Sequence, residues 1–225
     1  DHASDLLFAP TEVANQRLLS EGIAEKKIVR TGDVMLDAAL TFGKVAQEKS
    51  TIIKDLALEK QLFALCTLHR AENVDRLTTL EWIVEELYQV SKSINLVLPL
   101  HPRTKAKLEQ FSLFEKLSSN VKLIDPVGFL DVLSLQQSSS IIITDSGGMQ
   151  KEAFFQKRPC VTVRTETEWV ELLVDGHNRL AKPMVDPLSQ KVDEALNATL
   201  DWSVELYGNG QSSKTIAKAL LERST

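Results

Sequence analysis

A chain of 225 residues with 43% hydrophobic and 25% charged side chains carries enough apolar material for one sizeable core, which excludes a disordered chain. Its 26 Lys and Arg stand against 31 Asp and Glu, a formal net charge of -5 with no basic run beyond two residues, which argues against a nucleic-acid surface. The apolar runs are far too short to span a membrane.

In chain order, short apolar runs alternate with longer amphipathic ones. Residues 5–9 read as a strand and 11–22 as a helix with Thr11 at its start. Residues 27–31 read as a second strand, followed by a helix over 33–48 capped by Asp33. Strands over 62–68, 94–100, 121–124, 141–144 and 159–163 then alternate with helices over 75–91, 103–111, 129–137, 149–156, 168–175 and 189–199. A last helix covers 212–223, with Ser212 as its cap. The strands rarely alternate polar with apolar, as expected of strands covered on both faces. Strands separated by helices predict a doubly wound, mostly parallel α/β sheet of Rossmann-like type, and no linker divides the chain in two.

Cys66 and Cys160 each sit in an apolar stretch and read as buried, reduced core residues. Without a CxxC pair or a Cys/His cluster, no metal site is expected. The first residues lack a charged-then-apolar signal and an initiator Met, which predicts a processed or excised piece of a cytoplasmic protein.

In such sheets ligands bind beyond the carboxyl ends of the strands. His69-Arg70-Ala71-Glu72-Asn73, His101-Pro102-Arg103, Asp125-Pro126, Asp145-Ser146-Gly147-Gly148 and Arg164-Thr165-Glu166-Thr167-Glu168 each follow a strand, so one polar rim is expected, with His177 close by. The strongest motif is Thr144-Asp145-Ser146-Gly147-Gly148-Met149-Gln150-Lys151-Glu152, where a strand ends, two glycines follow and a helix starts. Glycines admit close approach of a ligand, and free N–H groups at a helix start favour an anion. Ser146 adds a hydroxyl, and Glu152, one turn in, suits a ribose diol. The other reading is a tight turn with a capping Ser and a dipole-stabilised Glu. His69 and Arg70 suit a diphosphate, or else a packed His with Arg70 paired to Glu72. The loop is neither GxGxxG nor a Walker A sequence. Trp82 and Trp202 read as packing residues, and Tyr207-Gly208-Asn209-Gly210 as a turn.

These motifs occur together and in order with Leu98-Pro99-Leu100-His101-Pro102, Leu7-Phe8-Ala9-Pro10-Thr11 and Thr31-Gly32-Asp33-Val34. The set resembles the non-hydrolysing UDP-N-acetylglucosamine 2-epimerases over essentially the whole chain. The resemblance implies one half of a two-domain GT-B fold, with residues 1–225 as the C-terminal, UDP-holding domain and the N-terminal domain with its proton-transfer carboxylates absent from this chain. It implies inversion at C2 of a UDP-sugar by expulsion and re-addition of UDP, with no cofactor or metal. His69 matches the catalytic His near diphosphate and sugar, Ser146 and Gly147 the diphosphate-binding pair, with Gly148 and Arg70 beside them, and Glu152 the ribose carboxylate. Family members are commonly dimers, so a homodimer is expected.

Three positions depart from the pattern. Val132 stands where many members carry a Phe near uracil, and Lys151 replaces a common second Glu. Thr167-Glu168-Trp169-Val170-Glu171 replaces an Arg-Pro version and looks more like the branch acting on UDP-2,3-diacetamido-2,3-dideoxyglucuronic acid. The main expectation is conversion of UDP-N-acetylglucosamine to UDP-N-acetylmannosamine. The alternatives are the diacetamido-glucuronate reaction and a stand-alone UDP-sugar-binding module.

Overall fold

A computed structural model describes residues 1–223. In chain order the elements are β1 (Leu7–Ala9), α1 (Glu12–Ser20), β2 (Ile28–Arg30), α2 (Val34–Lys49), α3 (Ile52–Asp55), β3 (Phe63–Thr67), α4 (Ala71–Val74), α5 (Leu77–Ser91), β4 (Asn95–Pro99), α6 (Pro102–Gln110), α7 (Phe114–Ser118), β5 (Lys122–Ile124), α8 (Phe129–Ser138), β6 (Ile141–Thr144), α9 (Gly147–Phe155), β7 (Cys160–Thr162), α10 (Glu171–Val174), β8 (Asn178–Leu180), α11 (Leu188–Leu196) and α12 (Ser212–Arg223). They group into two compact units: residues 45–200, and residues 1–44 with the chain from 201 onward.

The unit of residues 45–200 holds a six-stranded sheet in the order β5-β4-β3-β6-β7-β8, all pairs parallel. The strand order reverses direction between β3 and β6, as in a doubly wound fold. β3 shows how the sequence dictates two covered faces. Ala64 and Cys66 join one apolar cluster with Leu80, Ile83, Leu87 and Val192. Phe63 and Leu65, pointing the opposite way, join a second cluster with Leu58, Leu135 and Ala153. Helices α5 and α11 therefore cover one face, and α3, α8 and α9 the other. Trp82 packs partly buried against the first cluster. Both cysteines are free and fully buried, and desolvation pushes the Cys160 thiol up to about 12, so neither is a thiolate near neutral pH.

Two expectations need correction, and four elements, β8, α3, α4 and α7, were not expected. The edge strand β8 is not apolar; it is held by backbone pairing to β7 and by buried Asn178, whose amide oxygen accepts from Thr162 Oγ1 at 2.8 Å. The helix expected over 168–175 shrinks to α10, because Trp169 and Glu168 turn back onto α9 instead. The short helices α3, α4 and α7 were below the length that periodicity reveals. Finally, His177 is not on the rim. It immediately precedes β8, its carbonyl accepts from Cys160 N at the start of β7, and so it lies at the amino end of a parallel sheet. It is buried there, edge-on to Phe154 at 5.0 Å.

In the other unit β1 and β2 form a two-stranded parallel sheet, Leu7 facing Ile28 and Ala9 facing Arg30. Thr11 caps α1 by accepting from Ala14 N at 3.1 Å, and Asp33 accepts from Met35 N at 2.8 Å. The cap of α12 is supplied from α2, not by Ser212 itself. The Asp37 carboxylate accepts from Ser212 N at 3.1 Å, Ser213 N at 2.8 Å and Ser213 Oγ at 2.7 Å. Partial burial pushes this carboxyl up, but the bonds from Ser213 and Ser212 outweigh it and hold it below the ordinary value of 3.8. Asp37→Ala should therefore cost about 1 kcal/mol in urea unfolding at pH 7. A carboxyl depressed in the folded state stabilises fully above its unfolded value, and loses that contribution as pH falls through the folded one. The difference between wild type and variant should accordingly shrink below pH 3.8. A difference that is constant from pH 7 to pH 2 would show that the carboxylate charge has no part in the cap.

Candidate functional site

The reversal of strand order puts the loops after β3 and β6 side by side, and the sequence motifs lie on those two loops. A cavity of about 230 Å³ opens there, lined by Thr67 at the end of β3 with Leu68 and His69 beyond it, Pro99 at the end of β4 with His101 beyond it, Pro126 and Val127 after β5, Val132 of α8, and Ser146 and Met149 after β6. His69 and Ser146, from different strand ends, thus share one cleft. His69 is 42% exposed at its side chain, and its ring lies 5.7 Å from that of His101. His101 also caps α6, its Nδ1 accepting from Arg103 N at 3.2 Å.

The joint between the two loops is Asp145, a residue whose role sequence reasoning missed. Its carboxylate is fully buried. It accepts from His69 N at 3.1 Å, Arg70 N at 2.9 Å and Asn73 Nδ2 at 3.1 Å, and lies 3.3 Å from His69 Nδ1. Asn73 also donates to Val163 O at 2.9 Å, tying in the end of β7. One carboxylate thereby sets the path of the His69-Arg70 turn and the tilt of the imidazole. The legible signal was an acid ending the apolar run Ile141–Thr144, where a charge flush with the core must find donors.

α9 begins at Gly147, two residues earlier than expected, with Ser146 at its N-cap. Its first N–H groups have no intrahelical acceptor and face the carboxyl edge of the sheet, a place suited to an anion. Gly147 packs closely against the 168–169 segment. A Cβ there would strike the Glu168 carboxylate, which is paired to Arg164 Nη1 at 2.7 Å. Burial pushes the Glu168 carboxyl up, but its own backbone N–H and Arg164, with the charge of Arg70, hold it below the usual carboxylate range. Around it runs a chain of alternating charge, Arg70 to Glu72 at 3.5 Å and Glu72 to Arg164 at 4.0 Å. Lys151 is buried with its ammonium 4.2 Å from the centre of the Trp169 ring.

The cleft does not gather every expected residue. Arg70 turns towards Glu72 and does not line the cavity. Glu152 stands one turn along α9, its Oε2 accepting from Gln136 Nε2 at 2.6 Å, and Gln136 also reaches the cavity-lining Met149. Gly148 lies in the first turn of α9.

Similarity to known proteins runs along nearly the whole chain. The family model for UDP-N-acetylglucosamine 2-epimerase matches residues 1–221. The UDP-2,3-diacetamido-2,3-dideoxy-D-glucuronate 2-epimerase of Pseudomonas aeruginosa is 45% identical over 223 residues, which cover 98% of this chain and 60% of that protein. The UDP-N-acetylglucosamine 2-epimerase of Methanocaldococcus jannaschii is 40% identical over 227 residues, covering 98% of this chain and 62% of that protein. A crystal structure of the latter in complex with UDP-GlcNAc and UDP superposes with a TM-score of 0.90 over 99% of this chain and 62% of that one. A Neisseria meningitidis UDP-GlcNAc 2-epimerase bound to UDP-GlcNAc, 29% identical, superposes at 0.77 over 97% of this chain and 62% of that one. The chain thus spans about 60% of the length of these relatives. With the doubly wound sheet, the paired loops after β3 and β6 and a family match along nearly all its length, the chain belongs to the UDP-N-acetylglucosamine 2-epimerase family.

Proposed function

We propose that this chain is the UDP-holding part of a UDP-sugar 2-epimerase, and that a further domain supplies the groups that move the proton at C2. The observation that carries the reading is the meeting of His69 with Ser146 and the first turn of α9 in one cleft at the switch point. C2 of a hexosamine has no neighbouring carbonyl, so its proton is weakly acidic. Expelling UDP first, and returning it after the other face is protonated, avoids a bare carbanion. The part that holds UDP must then stabilise a departing diphosphate. Ser146, Gly147 and Gly148 serve that charge through N–H and hydroxyl groups. His69, oriented by Asp145, stands beside the bond that breaks, with Arg70 at the rim. Glu152 accepts from the ribose hydroxyls. A further domain is supported by the 60% span of the relatives. Free buried thiols fit a reducing, cytoplasmic setting. Among the described residues no helix is long and apolar enough to cross a membrane.

The substrate is proposed to be UDP-N-acetylglucosamine, inverted to its manno epimer. The diacetamido-glucuronate reaction is a second reading, favoured by the 45% identity to the Pseudomonas protein and by Trp169 and Lys151 at the edge of the anion site.

Thermal unfolding with UDP, and with UMP and ADP as controls, tests the nucleotide assignment. UDP at about 100 times its Kd adds about 2.7 kcal/mol, a midpoint rise of roughly 5–10 °C for a chain of this size. Glu152→Ala and Ser146→Trp should each remove the rise. An equal response to ADP, or none to millimolar UDP, would overturn the assignment.

A further inference from the structure

The N-terminal turn of α9 is held by side chains of the 167–169 segment and of α9 itself that the proposed chemistry does not use. The indole of Trp169 donates from Nε1 to Gly147 O at 2.9 Å. Gln150, fully buried, donates from Nε2 to Ser146 O at 3.3 Å. The oxygen of that same amide accepts from Thr167 Oγ1 at 2.6 Å and from Asn178 Nδ2 at 2.9 Å. Thr167 Oγ1 in turn accepts from Trp169 N at 3.1 Å, which fixes the start of the indole. Under the ring lies the Lys151 ammonium. Two successive peptide carbonyls, those of Ser146 and Gly147, are thus each fixed by a side chain, and both side chains are joined through Thr167.

A buried amide is costly unless fully bonded, and this one donates to the Ser146 carbonyl at the start of α9 while its oxygen accepts from Thr167 and from Asn178 of β8. Anchoring alone would need only apolar contact, such as that of Ala153 with the core. What the polar network adds is orientation. The carbonyl of a residue and the N–H of the next belong to one rigid plane. Fixing Ser146 O therefore aims the Gly147 N–H, and fixing Gly147 O aims the Gly148 N–H. Glycine peptides, with no Cβ to restrain them, are those most in need of such fixing.

We infer that Trp169, with Gln150 acting through Thr167, is a positioning residue that aims the Gly147 and Gly148 N–H groups at the phosphates of the bound nucleotide. The inference rests on the UDP reading above. It assigns to the Glu168-Trp169 segment a role on the diphosphate side of the site. It also predicts an effect that grows with the number of phosphates on the ligand.

The test is a titration of the 225-residue chain and its Trp169→Phe variant with UDP, UMP and uridine. Phe keeps a ring over Lys151 but loses the N–H. The variant should bind UDP about tenfold more weakly, roughly the worth of one hydrogen bond, UMP by a smaller factor, and uridine within about twofold of wild type. Thr167→Val, which removes the hydroxyl shared by the Gln150 amide and the Trp169 backbone N–H while keeping the indole N–H, should weaken UDP in the same direction by a smaller factor. Equal weakening of UDP and uridine would show that the ring only shores up the fold, and unchanged UDP affinity would show that the indole aims nothing. Either result overturns the inference while leaving the UDP reading intact, provided that wild type prefers UDP to ADP. A wild type without that preference overturns both.

Discussion

Asp145→Ala should lower the midpoint of thermal unfolding by roughly 6–12 °C and abolish stabilisation by UDP. The carboxylate is fully buried and takes bonds from two backbone N–H groups and the Asn73 amide. Its loss strands those donors where water does not reach them, and each buried unsatisfied donor costs about 1–3 kcal/mol. A net loss of about 3 kcal/mol corresponds to that midpoint shift at roughly 2–4 °C per kcal/mol. The functional part of the result follows from the same bonds. Without them the His69-Arg70 turn is free of the start of α9, and the imidazole loses the oxygen 3.3 Å from its Nδ1. Asp145→Asn separates the two effects. It preserves volume and one accepting oxygen but turns an NH2 towards donors, so it should fall between wild type and Ala in stability while still losing UDP. A variant Asp145→Ala that melts within 1–2 °C of wild type would show that the turn is held by packing instead.

Gly32→Ala should cost about 3 kcal/mol, by a mechanism that involves no ligand. Gly32 has φ +78, and an added Cβ would lie 2.7 Å from both Ser212 Oγ and Tyr207 O, with Gly208 Cα at 3.2 Å. The hydroxyl could rotate away. The carbonyl cannot, because Tyr207 O accepts from Asp33 N at 2.9 Å. The Tyr207-Gly208-Asn209-Gly210 turn is therefore more than a connector. Two glycine backbones meet there, and their contact sets the approach of α12 to the start of α2. Gly22→Ala is the matched control. Its φ is +83 but nothing lies within 4 Å of the new methyl, so it should show only the conformational cost of about 1 kcal/mol. Urea unfolding of the two variants compares them directly, and equal losses would refute a steric role for the Gly32 contact.

The alternation of strand and helix was legible in the residues alone, because that signal is local. The runs Phe63–Thr67 and Ile141–Thr144 are apolar enough to be covered on both faces, and the apolar positions of α5 recur at helical spacing. The sequence also placed His69, Ser146, Gly147 and Glu152 after the right strands, and the order of their motifs pointed to the family. Which strand ends are neighbours was settled by the folded chain. β3 and β6 are separated by more than seventy residues, and their pairing rests on backbone hydrogen bonds that carry no residue code. That pairing brings Asp145 under His69, which no local pattern foretells. It also sends Arg70 towards Glu72 and not into the cleft. β8 and His177 were illegible for the same reason. A polar edge strand is held by its neighbour β7 and by the amide of Asn178, and the direction of a parallel sheet, not the nature of the histidine, put His177 at the end away from the site.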